Sequence, residues 1–174
     1  MKELLAQRAM LVELIGSISS ISADADAVLD NLPADLSSER RAVVKNACSL
    51  VGKVNYFWGG KSCIIGWDSR WGQLQKVWAE GSSTTGTYRP FGLDCSGFVD
   101  WVFCNVSSDD YVIGHGGGLA MQRSYCTSVS WGDAQPGDLV FYADDSHVGI
   151  VGGRDAAGNL IILSTVPAVT TMWL

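Results

Sequence analysis

Gly92-Leu93-Asp94-Cys95-Ser96-Gly97-Phe98-Val99-Asp100-Trp101-Val102-Phe103-Cys104 is the stretch from which the fold of this chain is read. Phe98 with Val102 and Val99 with Phe103 repeat at four-residue spacing, which predicts a helix from Asp94 to Val106 with Asp94 as its N-cap. Cys95 then sits in the first turn. A thiolate there faces backbone N–H groups without helical partners and the positive end of the helix dipole, which together lower a thiol pKa below its free value of about 8.5. The same N–H groups suit an oxyanion. Gly97 leaves space beside the sulfur. On position alone a buried structural cysteine is the better fit, and a general base elsewhere in the chain reverses that in favour of a nucleophile.

C-terminal to this helix the texture turns strand-like. Gly114-His115-Gly116-Gly117-Gly118 reads as a flexible turn, followed by a helical piece around Leu119 to Tyr125. After the turn pair Pro136-Gly137 come three apolar runs, Leu139 to Tyr142, His147 to Val151 and Leu160 to Thr165. His147 opens the middle strand and supplies the base; His115, in its glycine turn, reads as a surface or substrate-loop residue. With Arg154 to Ala157 as a hairpin loop, Gly153 pairs with Gly158 and His147 with Ser164, and a register shift of two keeps both on one face. Ser164 is then placed to orient the imidazole toward Cys95.

On the N-terminal side, a helix is expected to start near Ser37, with Glu39 in its first turn, burying Val43, Val44, Ala47, Leu50 and Val51 before Gly52. Tyr56 to Trp58, Trp67, Trp71 and Trp78 belong to a long aromatic loop with one short helix around Leu74 to Trp78; for any single Trp, core is the expected place. Helices first and antiparallel strands last make the domain α+β. In residues 1–35, Leu11, Leu14, Ile18, Ile21, Ala25, Val28 and Leu32 form a heptad-like stripe that ends at Pro33. That pattern fits a helical stalk with a coiled-coil partner surface, or an amphipathic helix folded back on the body.

The chain has 174 residues, 47% of them hydrophobic, and 12 Lys and Arg against 18 Asp and Glu, for a net charge of −6. This is the size of one domain with an appendage, and its charge offers no basic surface for nucleic acid. No run approaches the roughly 18–20 apolar residues of a membrane span, and no signal peptide is visible at the start. Five cysteines leave at least one outside any intramolecular disulfide, and the spacing permits a Cys104–Cys126 pair. Gly60-Lys61-Ser62 ends like a phosphate-binding loop, but Asn55 stands where that motif needs Gly. No Cys-x-x-Cys occurs and two distant histidines make no clear zinc set, so no metal and no cofactor is expected.

Asp94-Cys95-Ser96-Gly97-Phe98-Val99, Pro136 to Tyr142 and His147-Val148-Gly149-Ile150 resemble, in order, the signature blocks of the NlpC family, papain-like cysteine endopeptidases that cut the stem peptides of bacterial peptidoglycan. Tyr56-Phe57-Trp58-Gly59-Gly60 extends the resemblance to roughly residues 40–170. It implies a papain-like α+β fold in residues 36–174 behind the 1–35 stalk, with Cys95 as nucleophile and His147 as general base. It also implies that Tyr56, Asp94 and Ser96 line the pocket for the D-glutamyl end of the substrate, that the bond cut joins D-Glu to the following diamino acid, and that the protein is secreted or wall-associated. The family usually has His, Asn or Gln at the third catalytic position, where Ser164 is assigned here, which implies reduced activity. It also tends to have another strand after the point where this chain ends. A weak or inactive member that binds stem peptides or a partner protein, and a papain-like acyltransferase or amidase, are the competing readings.

Overall fold

The computed structural model describes residues 25–106, 116–143, 145–165 and 170–171. Residues 25–30 form helix α1, followed by α2 (Ser38–Leu50), β1 (Asn55–Tyr56), β2 (Leu74–Lys76), β3 (Tyr88–Pro90), β4 (Gly92–Leu93), α3 (Cys95–Cys104) and α4 (Gly118–Ser124). The strands β5 (Leu139–Phe141), β6 (Val148–Arg154), β7 (Leu160–Leu163) and β8 (Thr170–Thr171) close the order as one antiparallel sheet, β5-β6-β7-β8. The protein is thus α+β, with helices packed on one face of the main sheet.

Helix α2 starts where the sequence places it. The Ser37 side chain accepts from the Arg40 N–H, Glu39 lies in the first turn, and Val43, Val44, Ala47 and Leu50 are buried. Helix α3 is apolar nearly all round, and every residue from Cys95 to Cys104 except Phe103 is buried, as a helix in the centre of a core must be. Its Phe98, Val99 and Val102 pack with Val43, Val44 and Ala47 of α2, Val148 and Ile150 of β6, and Leu163 of β7. The opposite sheet face carries a smaller cluster of Val140, Val151, Leu160 and Ile162. Val28 and Leu32 join the main core, so the end of the heptad-like stripe folds onto the body; residues 1–24, and with them the rest of the proposed stalk, lie outside the described residues, as does His115.

Two local expectations are corrected and one open cysteine pairing is resolved. Leu74 to Lys76 is a strand paired antiparallel with β3, Lys76 opposite Tyr88, and not a helix. Its alternation of outward Leu74 and Trp78 with buried Val77 is the period-two signal that the aromatic texture obscured. Among the tryptophans, Trp71 and Trp101 are in the core while Trp67 and Trp78 are exposed. Cys104 pairs with Cys63, not Cys126, with Cα atoms 5.9 Å apart, leaving Cys48, Cys95 and Cys126 as free thiols.

The hairpin between β6 and β7 departs from the simple count. Asp155 N donates to Asn159 O at 2.9 Å, so the loop is only Ala156, Ala157 and Gly158, the last at φ 88°. Gly152 is then bulged out between the pairs Val151–Ile162 and Gly153–Ile161. The bulge restores the face alternation that the tighter turn had reversed, and Ile150 pairs with Leu163. Ser164 follows across from Gly149 instead of His147, two positions along the same face; a Cβ built on Gly149 would lie 3.7 Å from the Ser164 Cβ.

Candidate active site

Three glycines let backbone meet backbone at the start of α3. A Cβ on Gly92 would lie 1.8 Å from the Asn55 oxygen, one on Gly97 2.1 Å from the Gly60 oxygen, and one on Gly60 2.2 Å from the Gly92 oxygen. No side chain fits at any of them. Strands β1 and β4 pair in parallel through Asn55–Gly92 and Tyr56–Leu93, and Gly60 O accepts from Asp94 N at 3.1 Å. The aromatic-glycine loop is thereby pressed onto the helix start, bringing Tyr56 beside Asp94-Cys95-Ser96.

Asp94 caps α3 as expected, its Oδ1 accepting from Gly97 N at 2.7 Å and from Ser96 Oγ at 3.1 Å. The same oxygen takes a bond from Lys61 Nζ at 2.6 Å, and Lys61 also donates to Ser96 Oγ. Lys61 was legible in the sequence only as the end of a failed phosphate loop; no spacing rule links it to Asp94. A second support was also invisible: Gln122 of α4, fully buried, donates to Ser96 O at 2.7 Å and Asp100 Oδ1 at 2.8 Å, tying α4 to the nucleophile's helix. Its only sequence signal is a polar residue within a short helical run.

Cys95 is 8% exposed. Burial pushes its thiol pKa up, which overturns the expected depression. The helix-start effect is present with the expected sign, since the Ser96 N–H bonds the sulfur and stabilises the thiolate, as do the Val148 N–H and the Lys61 charge. Desolvation outweighs them, with the Asp94 charge adding to it. Cys95 and Val148 share the main core, so the sulfur lies toward the start of β6, which His147 immediately precedes. That imidazole is half-buried, and burial lowers its pKa. Both partners therefore rest uncharged. The Tyr142 ring stands edge-on to His147 with centroids 5.2 Å apart, and Tyr142 N donates to His147 O at 3.0 Å.

The Tyr56 hydroxyl is pushed up to about 12, first by burial and then by the negative charge that Cys95, once ionised at high pH, and Asp94 place near it. It stays a protonated phenol at the edge of the site, able both to donate and to accept. Tyr56, Asp94, Cys95 and Ser96 thus form one cluster, β6 brings His147 to its border, and Ser164 stands at the end of β7. Among the described residues no three His, Cys, Asp or Glu groups converge as a metal site.

The family model for NlpC/P60 matches residues 52–157. Over 78 residues the chain is 42% identical to "Probable endopeptidase p60" of Listeria grayi, covering 45% of this chain and 14% of that protein. Over 123 residues it is 31% identical to "Probable endopeptidase" proteins of Mycobacterium bovis and Mycobacterium tuberculosis, covering 68% of this chain and 22% of theirs. The chain therefore spans less than a quarter of the length of these curated relatives. No solved structure matches it. The family match takes in Tyr56, Lys61, Asp94, Cys95, Ser96 and His147 and stops before Ser164, and since it covers more than half of the chain, this protein belongs to the NlpC/P60 family.

Proposed function

We propose that this domain is a papain-like cysteine endopeptidase that cuts peptidoglycan stem peptides between D-Glu and the following diamino acid. The observation that carries the reading is a thiol at the start of a buried helix, bonded to the amide next to His147, in a chain with endopeptidase-named relatives. With both groups uncharged at rest, His147 takes the Cys95 proton as sulfur attacks the scissile carbonyl. A C–S bond forms, the amide C–N bond breaks, and the departing amine takes the proton from the imidazolium. Water, activated by His147, then cleaves the thioester, releasing the carboxylate and restoring the thiol. Helix-start N–H groups hold the charge on sulfur and on the carbonyl oxygen. Ser164 orients the imidazole in this scheme.

The Cys63–Cys104 disulfide supports an oxidising compartment, and hence a secreted or wall-associated site of action. A second reading, a weak enzyme that mainly binds stem peptides, is favoured by one observation: a hydroxyl at residue 164 stabilises imidazolium less than a ring or carboxylate does. One experiment separates the two. Incubation with purified muropeptides should give products whose masses place the cut after D-Glu, and Cys95→Ala should abolish them. Intact peptide with measurable binding overturns the first reading in favour of the second.

A further inference from the structure

The ammonium of Lys61 is an unusual thing to find beside a nucleophilic thiol that sits next to a carboxylate. Its bonds to Asp94 Oδ1 and Ser96 Oγ take two of its three donors, and its side chain keeps 26% of its surface open while that of Asp94 keeps 12%. One donor therefore remains for a ligand at the partly open side chain of Lys61, beside the two residues that flank Cys95 in sequence. The loop that carries it cannot drift: Gly60 is held to Asp94 N and by the backbone approach at Gly97, Ser62 is buried with its hydroxyl donating to Asp68 at 2.8 Å, and Cys63 is tied to the far end of α3. The cation is positioned before any ligand arrives.

A glutamyl residue on the acyl side of the scissile bond has two carboxyl groups. Whichever forms the amide under attack, the other is a free anion a few bonds from the carbonyl that Cys95 must reach. Asp94 alone would repel it. Lys61 cancels that charge and offers a spare donor from its place on Asp94 and Ser96, the residues either side of Cys95. We propose that Lys61 is a specificity-determining residue that binds the free carboxylate of the glutamyl unit. This rests on the stem-peptide reading above and adds to it a recognition group outside the expected Tyr56, Asp94 and Ser96 set.

The test uses two synthetic stem peptides that differ only in the glutamyl group not in the scissile bond, a carboxylate in one and a carboxamide in the other. The full chain should show a KM about tenfold lower for the carboxylate form, the scale of one charge-assisted hydrogen bond, with similar kcat. In Lys61→Met the ratio of the two kcat/KM values should fall toward one, whatever the absolute rate, and Lys61→Arg should restore part of the preference. Equal KM values for the two peptides with the wild-type chain overturn the assignment and leave the peptidase reading standing. An undiminished ratio in Lys61→Met also overturns it, and shows that Lys61 acts only by holding Asp94. Cleavage of neither peptide by the wild-type chain overturns the peptidase reading and this assignment with it.

Discussion

Cys95 and His147 are both driven toward their uncharged forms by burial, and this has a measurable sign. A thiol with a raised pKa is less ionised at neutral pH than a free cysteine, so iodoacetamide should label Cys95 in the folded protein only at higher pH than the same residue after denaturation. Labelling followed by peptide mass analysis checks this; a folded-state midpoint below the free-thiol value would restore the helix-start argument as the dominant effect. For His147 the depressed pKa keeps the imidazole neutral to below pH 6.5, so the acid limb of kcat/KM should lie below that value. Stability follows the same direction. Because the unfolded state binds the proton first as pH falls, this group costs stability below pH 6.5 and nothing above it. A dominant pair of this kind was readable from residue types; the direction of its titration was not, because desolvation depends on what the fold packs around the sulfur.

Among the elements, α2, α3 and the strands β5, β6 and β7 were legible because their apolar runs, turn residues and caps are local properties of the chain. The β2–β3 pair was not, since three residues of alternation do not outvote an aromatic stretch that equally suits a helix or loop. The β6–β7 hairpin holds the most instructive error. The expected register missed both the three-residue turn and the Gly152 bulge, and the two deviations offset in parity, so Ser164 lies on the expected face for a reason other than the expected one. The role given to Ser164 depends on that bulge. Ser164→His should raise kcat/KM by about tenfold, since an imidazole stabilises imidazolium better than a hydroxyl. Steady-state kinetics on muropeptides, with circular dichroism to confirm the fold, decides it: no gain with the fold intact removes Ser164 from the mechanism.

At the scale of the molecule, the disulfide between Cys63 and Cys104 links the aromatic-glycine loop to the far end of the nucleophile's helix across a sequence separation of 41 residues. Closing a loop of that size stabilises the fold by about 4 kcal/mol in the chain-entropy picture. Replacing both cysteines by serine should lower the urea midpoint accordingly, and an unchanged midpoint would show that the bridge is not formed in solution. Pairing was the part of the cysteine pattern least accessible beforehand, because five cysteines admit several partners and only the fold brings two of them within reach. The backbone contacts at Gly60, Gly92 and Gly97 have a further consequence, for diversification. A library built to retune this domain gains nothing at those three positions, where any Cβ collides with a carbonyl, nor at Ser62 and Cys63, which are committed to Asp68 and the bridge. Within the run from Gly60 to Cys63, variety in what the loop offers a ligand is confined to the single codon of Lys61.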